Sequence, residues 1–560
     1  MDARPWATSY GHPVAWATNF APESLPDMLE ATAKRVPNAV CIDFLGRQFT
    51  YADIADQVDH AARGFQILGV RRGIKVGLFL PNCPQYVIAY YGAMKAGGTV
   101  VNFSPLYTAA ELAEQVEDSQ TDIMVCLDVA QLYPTIANVL ETTRLRCLVV
   151  GGLASVLPRG KALLYRMLRR RQRSKVKPDL RHIRFAALLD NGGLVDRPGI
   201  DPVADIALLQ YTGGTTGTPK GAVLTHANLA ANARQVCAID PEPDAEDRIL
   251  GALPLFHVFA NTCILNRTVA NGGEMVLLPK FDATQALKAI QRRAITAVPG
   301  VPTMYQAFLD HPKIDKYDLG SVRICISGGA PMPVVVKARF EAKTGAKVVE
   351  GYGLTESSGV VSVNPYFGPN KPGTIGQPLP GTDVVLVDRD DPTKPSAAGE
   401  PGEITVSGPQ IMRGYWNRPE ESANVFVDGR LRTGDVGTID ADGYIAVVDR
   451  LKDMIVVGGF KVFPSRVEAA LYALPDVKEA LVIGVPDSYL GERPKAFVTL
   501  RAGASATPAT LLAALNATVG KHERAVAVEI RDALPKTMIG KLSRKELVAE
   551  EHAKATAKAA

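Results

Sequence analysis

The chain has 560 residues, of which 47% are hydrophobic and 21% are charged. A chain of this length and composition can bury several cores, which excludes an intrinsically disordered or low-complexity protein. Its formal net charge is +4, from 62 Lys and Arg against 58 Asp and Glu, so there is no general reason to expect a nucleic-acid partner. We therefore expect a large globular protein of several domains that does not bind nucleic acid.

The longest notable uncharged stretch, 76–94, approaches membrane-spanning length, but Pro81 and Pro84 interrupt it. The first residues lack the apolar core of a secretory signal. Both features predict a cytoplasmic protein without a transmembrane helix. The seven cysteines form no CxxC pair, which predicts reduced, buried thiols and no zinc site.

Apolar runs alternate with amphipathic stretches through the first two hundred residues and again after 249. The clearest case is a strand at 76–80, a helix at 86–94 and a strand at 99–102. Such alternation is typical of a layered α/β domain with buried sheets. Later strands are predicted at 274–278, 297–299 and 322–326, with a helix at 283–292.

The last third of the chain has a different pattern. Short alternating runs bounded by Gly, Asp and Pro occupy 382–448 and predict an antiparallel β subdomain that could form a barrel. Strands and helices after 449 fit a small α+β domain. We expect a large N-terminal domain at 1–449, a hinge at 450–453, a small mobile domain at 454–549, and a tail at 550–560 that frays.

A loop rich in glycine and threonine follows an apolar run at 206–209, and its sequence is Tyr211-Thr-Gly-Gly-Thr-Thr-Gly-Thr-Pro-Lys220-Gly221. Glycines let backbone N–H groups approach an anion, threonine hydroxyls add donors, and Lys220 supplies positive charge. The loop is not a Walker A motif, because Pro219 precedes the lysine and Gly221 follows it. It predicts a phosphate site at Thr212, Gly213, Gly214, Thr215, Thr216, Gly217, Thr218 and Lys220.

This loop resembles the signature of acyl-adenylate-forming enzymes, the superfamily of acyl-CoA synthetases, adenylation domains and luciferases. Five further motifs follow in the order of that family: Ser327-Gly-Gly-Ala-Pro331, Glu350-Gly-Tyr-Gly-Leu-Thr-Glu356, Arg432-Thr-Gly-Asp435, Asp449-Arg-Leu-Lys-Asp453 and Pro535-Lys-Thr-Met-Ile-Gly-Lys541. Within the superfamily, the chain is most similar to bacterial long-chain fatty-acid CoA ligases. The resemblance implies an acid–thiol ligase that uses ATP, Mg²⁺ and coenzyme A, forms an acyl adenylate, and releases pyrophosphate and AMP.

The resemblance also implies a role for each motif residue. Lys541 would bridge the carboxylate and the α-phosphate, with Thr355 beside it, while Glu356 would bind Mg²⁺. Tyr352 would stack on adenine, and Lys452 would occupy the hinge about which the small domain rotates between the two half-reactions. The other AMP-binding positions implied are Gly329, Ala330, Pro331, Glu350, Gly351, Gly353, Asp435 and Arg450.

The acyl and coenzyme A sites are implied in the same way. His257 resembles the family residue between the acyl carboxylate and the coenzyme A tunnel, and both a general base and a pocket wall remain open as its role. The acyl pocket is expected at His257, Gly300, Val301, Met304, Val360 and Val361. The coenzyme A channel is expected at Gly458, Gly459 and Phe460.

The segment 158–184 carries eleven Lys and Arg residues, with Asp179 as its one acid. It predicts either contact with an anionic membrane surface or a solvated basic helix. Several alternatives stay open at this stage. They are a medium-chain or aryl-acid CoA ligase, an acyl-AMP ligase that loads a carrier protein, a non-catalytic acyl- or nucleotide-binding protein, and a homodimer as the assembly.

Overall fold

A computed structural model describes residues 4–168, 172–193, 195–212, 219–242, 246–397, 399–487, 489–537 and 542–559. They form two compact units. The first unit contains the described residues up to 383 together with 406–426, and the second contains 384–405 and the described residues from 427 onward. The second unit therefore groups most of the predicted β subdomain with the predicted small domain.

A seven-stranded sheet forms one layer of the first unit. Six of its strands are parallel, and the last pairs antiparallel at one edge. Most of its central residues are buried, as expected for a parallel sheet covered on both faces. In spatial order the strands are His182–Arg184, Cys147–Gly151, Ile123–Leu127, Lys75–Leu78, Thr99–Asn102, Ile206–Thr212 and Lys220–Thr225.

A second layer joins two four-stranded ladders through Ala297, which bridges Ile249 on one side and Ile324 on the other. The strand predicted at 297–299 is thus reduced to isolated bridges. In spatial order the strands are Arg47–Thr50, Val40–Phe44, Glu274–Leu277 and Arg248–Gly251, then Ile324–Ser327, Lys347–Tyr352, Ser362–Val363 and Gln377–Pro378.

Helices surround these sheets. Thr50, Thr108 and Thr225 each begin a helix with a capping box. No helix in the described part of the chain is both long and apolar enough to cross a bilayer. The α-helices of this unit are Leu25–Arg35, Tyr51–Ile67, Pro84–Lys95, Ala109–Ser119, Tyr133–Thr142, Arg159–Leu168, Phe185–Leu189, His226–Ala238, Val258–Ala260, Arg267–Asn271, Ala283–Arg293, Pro302–Leu309, Val334–Thr344 and Pro419–Val425, with a π-helix at Asn261–Asn266.

The second unit contains most of a half-barrel sheet and a smaller sheet packed on helices. The half-barrel strands are Asp383–Val387, Gly402–Ser407, Arg430–Ile439 and Phe426–Val427, with Ile445–Arg450 paired to Arg430–Ile439. The smaller sheet contains Phe460–Val462, Ile455–Val457, Gly491–Leu500, Val477–Asp487 and Ala527–Ile530, and its helices are Pro464–Tyr472, Pro508–Thr518 and Lys545–Ala559.

The last of these helices runs through the stretch 550–559, where the sequence led us to expect fraying. Two ion pairs attach it, from Glu551 to Lys495 at 2.9 Å and from Glu550 to Arg531 at 2.7 Å. Leu547, in the first turn of the helix, is buried in a small apolar cluster. A local reading of Ala and Lys content could not anticipate these tertiary partners. Six of the seven cysteines are buried, as predicted, and Cys237 is partly buried.

Candidate active site

The two ends of the glycine-rich loop are held by an antiparallel strand pair. Thr212 ends one strand and Lys220 begins the next, directly opposite across the ladder. The loop residues 213–218 lie outside the described residues, so the phosphate contacts assigned to Gly213, Gly214, Thr215, Thr216, Gly217 and Thr218 stay predictions. The Lys220 ammonium lies 5.3 Å from the ring centroid of Tyr415 and 3.9 Å from a carboxylate oxygen of Glu421. A partly exposed cation therefore stands where the loop ends.

Glu356 lies in a single 3₁₀ turn, Thr355–Ser357, which Thr355 begins. Its carboxylate accepts a hydrogen bond of 2.7 Å from the Tyr415 hydroxyl, and its carbonyl accepts one of 2.8 Å from the Met412 N–H. Burial and the negative charge of Glu356 raise the pKa of Tyr415, so this hydroxyl keeps its proton and donates. Mg²⁺ in nucleotide sites is held by one or two carboxylates together with waters and phosphates. A half-exposed carboxylate steadied by a neutral donor fits such an ion.

The turn before Glu356 leaves no room for a side chain at Gly353. Gly351 and Tyr352 end the strand Lys347–Tyr352, where Tyr352 pairs with Ser362. A Cβ at Gly353 would lie 2.1 Å from the carbonyl oxygen of Gly359, closer than any real contact. Only glycine fits at that position, so the path of the backbone between Tyr352 and Glu356 is fixed.

The adenine-side loop follows the neighbouring strand. Ser327 pairs with Glu350, and Gly329 then takes a positive φ of 79° at the turn. Gly329 and Pro331 are exposed and Ala330 is half-buried, so this loop presents backbone to a ligand. Burial raises the pKa of the Glu350 carboxyl to about 7, against the opposing effects of the Met332 backbone and Lys337.

His257 begins the short helix Val258–Ala260, and its Nδ1 accepts a hydrogen bond of 3.3 Å from the Phe259 N–H. Burial lowers the pKa of His257 to about 4, so the imidazole is neutral at pH 7. Because Nδ1 is an acceptor, the proton of the neutral ring is assigned to Nε2. The side chain thus offers an N–H donor to a ligand.

The predicted acyl-pocket residues Gly300, Val301, Met304, Val360 and Val361 are all buried in the first unit. A Cβ at Gly300 would approach the Tyr305 hydroxyl to 3.1 Å, so this glycine gives the ring its space. Asn232 fixes Val360 from both sides, accepting from its N–H at 3.0 Å and donating to its carbonyl at 2.8 Å.

In the second unit, Asp435 and Arg450 face each other on neighbouring antiparallel strands. The Arg450 Nε lies 3.1 Å from a carboxylate oxygen of Asp435, which is 3% exposed. Buried Glu403 organises the motif before Asp435. It accepts hydrogen bonds from Arg432 at 2.7 Å and 3.0 Å and from the Gly434 N–H at 3.1 Å.

The predicted hinge motif is held by partly buried charges. Lys452 lies in a 3₁₀ turn, Leu451–Asp453, at the end of which Asp453 pairs with Arg544 at 3.0 Å. Arg544 also pairs with Glu468 at 2.6 Å, so a single guanidinium joins the hinge turn, a helix and the segment that follows the lysine loop. Lys541 itself lies outside the described residues, and its role stays a prediction.

The predicted coenzyme A residues form the tip of a two-residue hairpin between Ile455–Val457 and Phe460–Val462. Gly458 and Gly459 have positive φ of 56° and 86°, as a type I′ turn requires. The Phe460 ring is exposed and stacks on His522, with ring centroids 5.1 Å apart. The hairpin presents a bare backbone turn beside an aromatic surface.

Within the first unit, Lys220 and Glu356 both contact Tyr415, Lys220 at the ring face and Glu356 at the hydroxyl. The Thr262 hydroxyl donates a hydrogen bond of 2.5 Å to the Ser358 carbonyl, which links the helix after His257 to the turn after Glu356. Two residues of this machinery were missed by sequence reasoning. Tyr415 lies in an unassigned Arg413-Gly-Tyr-Trp segment, and Glu403 is an acid within a predicted strand. An acid within a predicted strand was the available sequence signal for Glu403.

Comparison with known proteins gives the same family. Residues 29–416 match the model described as AMP-binding enzyme, and 466–541 match that of the AMP-binding enzyme C-terminal domain. A long-chain-fatty-acid–CoA ligase of Bacillus subtilis is 42% identical, over 98% of this chain and 99% of the relative.

Two solved structures extend the comparison. ATP-bound MatB from Rhodopseudomonas palustris superposes with a TM-score of 0.82 at 28% identity, covering 94% of this chain and 99% of that one. The anthranilate CoA ligase AuaEII, in complex with anthranoyl-AMP, has a TM-score of 0.84 at 25% identity, covering 97% and 100%. These matches confirm the superfamily indicated by the six motifs, and the chain belongs to the AMP-binding enzyme family.

Proposed function

We propose that this protein is an ATP- and Mg²⁺-dependent ligase that converts a long-chain fatty acid to its acyl-CoA thioester through an acyl adenylate. The observation that carries the substrate class is the 42% identity, over nearly the whole of both chains, with a ligase named for long-chain fatty acids. The buried acyl-pocket residues support it, because glycine, valine and methionine side chains suit an alkyl chain.

In the first half-reaction a carboxylate attacks the α-phosphate, so two anions must approach each other. Lys220 and Lys541 supply positive charge, and electrostatic stabilisation of this kind contributes the largest part of most phosphoryl-group catalysis. Glu356 would hold Mg²⁺, which when bound neutralises charge on the phosphates. Tyr352 and the loop at 329–331 would bind the adenine, and Asp435 with Arg450 the ribose.

His257 acts in this proposal as a donor at the pocket wall. A neutral ring with its proton on Nε2 can hydrogen-bond the substrate carboxylate, but it cannot accept a thiol proton at the same atom. Its lowered pKa, about 4, also makes it a weak base at neutral pH. We therefore favour the pocket-wall role over general-base catalysis.

In the second half-reaction the thiol of coenzyme A displaces AMP. We propose that the small domain turns about Lys452, which withdraws Lys541 and brings the Gly458, Gly459 and Phe460 hairpin to the pantetheine channel. The division into 1–449, 450–453 and 454–549 belongs to this proposal. The φ values of the two glycines support a turn that lets a ligand pass close to backbone.

The deciding experiment measures pyrophosphate release from MgATP over fatty acids of increasing length and a few aryl acids, with and without coenzyme A. Turnover that requires coenzyme A and is fastest with long chains supports the proposal. Release that stops at one equivalent with or without coenzyme A would indicate an enzyme that loads a carrier protein. No release with any acid would contradict the ligase.

An aryl-acid CoA ligase is the second candidate, favoured by the likeness to the anthranilate ligase structure. The same acid panel separates the two. An aryl pocket is short and closed, so turnover would peak with benzoate-like acids and fall for long alkyl chains.

We also propose that the protein contacts anionic membrane from the cytoplasmic side through the helix Arg159–Leu168. Its apolar residues Leu163, Leu164 and Met167 are 61%, 56% and 63% exposed, on a helix that also carries Arg159, Lys161 and Arg166. Farther along, Arg173, Lys177 and Arg181 pair with acids of the protein, so their charges are partly balanced within the fold. A basic amphipathic helix of this kind suits a bilayer surface.

Co-sedimentation with phosphatidylglycerol vesicles tests this contact. Wild type should sediment with the vesicles and Leu164→Glu should remain in solution. Ile67→Glu is the control, because Ile67 is an aliphatic residue of similar exposure on another helix, and this variant should behave as wild type. Equal sedimentation of both variants would contradict the membrane proposal. Light scattering on the protein without vesicles tests the predicted homodimer.

A further inference from the structure

Tyr415 belongs to none of the six motifs, yet it touches both charged groups of the nucleotide site. Its hydroxyl donates a hydrogen bond of 2.7 Å to Glu356, and its ring faces the Lys220 ammonium at 5.3 Å from the centroid. Tyr415 thus contacts the carboxylate assigned to Mg²⁺ through its hydroxyl, and the lysine assigned to phosphate through the face of its ring.

The backbone around Tyr415 is attached to the strand that follows the glycine-rich loop. The Tyr415 N–H donates to the Ser422 hydroxyl at 2.8 Å, and Tyr415 bridges to Ala222. The next residue, Trp416, donates its N–H to the Gly221 carbonyl at 2.8 Å, and its ring lies 4.3 Å from the Lys75 ammonium. The ring of Tyr415 therefore has a fixed place relative to Lys220.

A carboxylate and an ammonium in one site attract each other, and a direct pair would leave less charge for ligands of either sign. Tyr415 satisfies each group by a weaker, neutral interaction. A hydroxyl donor orients Glu356 without cancelling its charge, and a ring face attracts Lys220 without binding it as an anion would. The Glu421 carboxylate lies 3.9 Å from the Lys220 ammonium, a longer contact than the hydrogen bond between Tyr415 and Glu356, so both charges stay available to a bound metal–nucleotide complex.

We propose that Tyr415 is a positioning residue that orients Glu356 toward Mg²⁺ and keeps Lys220 available to the phosphates of ATP. This inference rests on the proposed function, because it assumes the roles proposed there for Glu356 and Lys220. It adds that the Mg²⁺ dependence of nucleotide binding is set in part by a side chain that contacts neither ligand.

Calorimetric titration of ATP, without any fatty acid, measures this dependence directly. The quantity of interest is the ratio of ATP affinity in Mg²⁺ to that in EDTA. Tyr415→Phe keeps the ring over which Lys220 lies and removes only the hydroxyl, so we expect the ratio to fall about tenfold while the affinity in EDTA is unchanged. Tyr415→Leu removes the ring as well and should lower the affinity in EDTA too.

Tyr10→Phe is the matched control, since it removes a tyrosine hydroxyl bonded at 2.8 Å to the uncharged carbonyl of Pro378. Its Mg²⁺ ratio should equal that of wild type. Should Tyr415→Phe fail to fold, Ser422→Ala loosens the Tyr415 backbone and should lower the ratio by a smaller factor.

The outcomes separate this inference from the proposed function. A wild-type protein whose ATP binding does not respond to Mg²⁺ contradicts the proposed role of Glu356 itself. A normal wild-type response that Tyr415→Phe leaves unchanged overturns the positioning role alone. A fall in melting temperature and in kcat with an unchanged Mg²⁺ ratio also overturns it, since that result describes a merely structural tyrosine.

Discussion

The two carboxylates assigned to ATP, Glu356 in the first unit and Asp435 in the second, are held by different kinds of partner. Glu356 is half-exposed and accepts from a neutral tyrosine hydroxyl at 2.7 Å. Asp435 is 3% exposed and lies 3.1 Å from the Arg450 guanidinium. The partner of Glu356 is thus neutral, whereas the partner of Asp435 carries the opposite charge.

This difference matches the ligands assigned to them. A metal ion requires an uncancelled carboxylate, while ribose hydroxyls require only acceptor oxygens held in place. The same contrast extends to the surroundings. Backbone pairing and the closely packed Gly353 fix the turn at Glu356, but guanidinium pairs centred on Arg544 hold the hinge and the segment after the lysine loop. Close packing thus fixes the turn within the first unit, whereas ion pairs hold the predicted hinge turn within the second.

The largest expected effect is the loss of adenylation when Lys541 of the second unit is replaced. Lys541→Ala should lower the rate of acid-dependent pyrophosphate release by about 1,000-fold, because a charge that stabilises the transition state is lost. Reaction of supplied acyl adenylate with coenzyme A should proceed near the wild-type rate. Lys536→Ala, which loses a 2.6 Å ion pair with Glu479 outside the proposed site, is the control. Unchanged adenylation in Lys541→Ala would contradict the assignment.

In the first unit, Glu356→Gln should lower adenylation by about 100-fold, since a neutral amide replaces the metal-binding charge. Raising the Mg²⁺ concentration should recover part of the loss, which measuring initial rates across a Mg²⁺ series will show. Glu421→Gln removes a nearby carboxylate 3.9 Å from Lys220 and should change these rates little. A loss that no Mg²⁺ concentration relieves would argue for a purely structural Glu356.

The sequence predicted the parts of this site that are continuous along the chain. The motif residues could be assigned directly, because each motif is a short continuous stretch of sequence. The alternation of apolar runs predicted both layers of the first unit. Tyr415 escaped prediction because its partner Glu356 lies 59 residues earlier, and only the folded sheet brings them together. The helix at Lys545–Ala559 escaped for the same reason, since its stability depends on Lys495 and Arg531.

A smaller effect should slow the second half-reaction, thioester formation, without slowing the first. Gly459→Ala places a methyl group in open space at a φ of 86°, so the folded protein bears backbone strain of about 1 kcal/mol without a clash. We expect thioester formation to slow by about tenfold, while pyrophosphate release in the absence of coenzyme A stays near wild type. Gly503→Ala, also at positive φ with open space but in another loop, controls for strain alone. Equal slowing of both half-reactions would contradict the assignment of this hairpin to coenzyme A.

The last effect concerns stability rather than rate, through the pH dependence that Glu350 confers. Its pKa in the folded protein is raised by burial from 4.5 to about 7, so between these values the native state keeps a proton that the unfolded chain has released. The free energy of unfolding should therefore fall as pH rises through this window, by at most about 1.4 kcal/mol per pH unit, and level off above it. Glu350→Gln has no proton to lose there, so the difference between its denaturant unfolding curves and those of wild type should grow from pH 5 to pH 7. Glu420→Gln, at an exposed carboxyl, should leave the slope unchanged. A Glu350→Gln profile parallel to wild type would mean that this carboxyl is already ionised in the folded first unit, and that the adenine-side strand tolerates a buried charge.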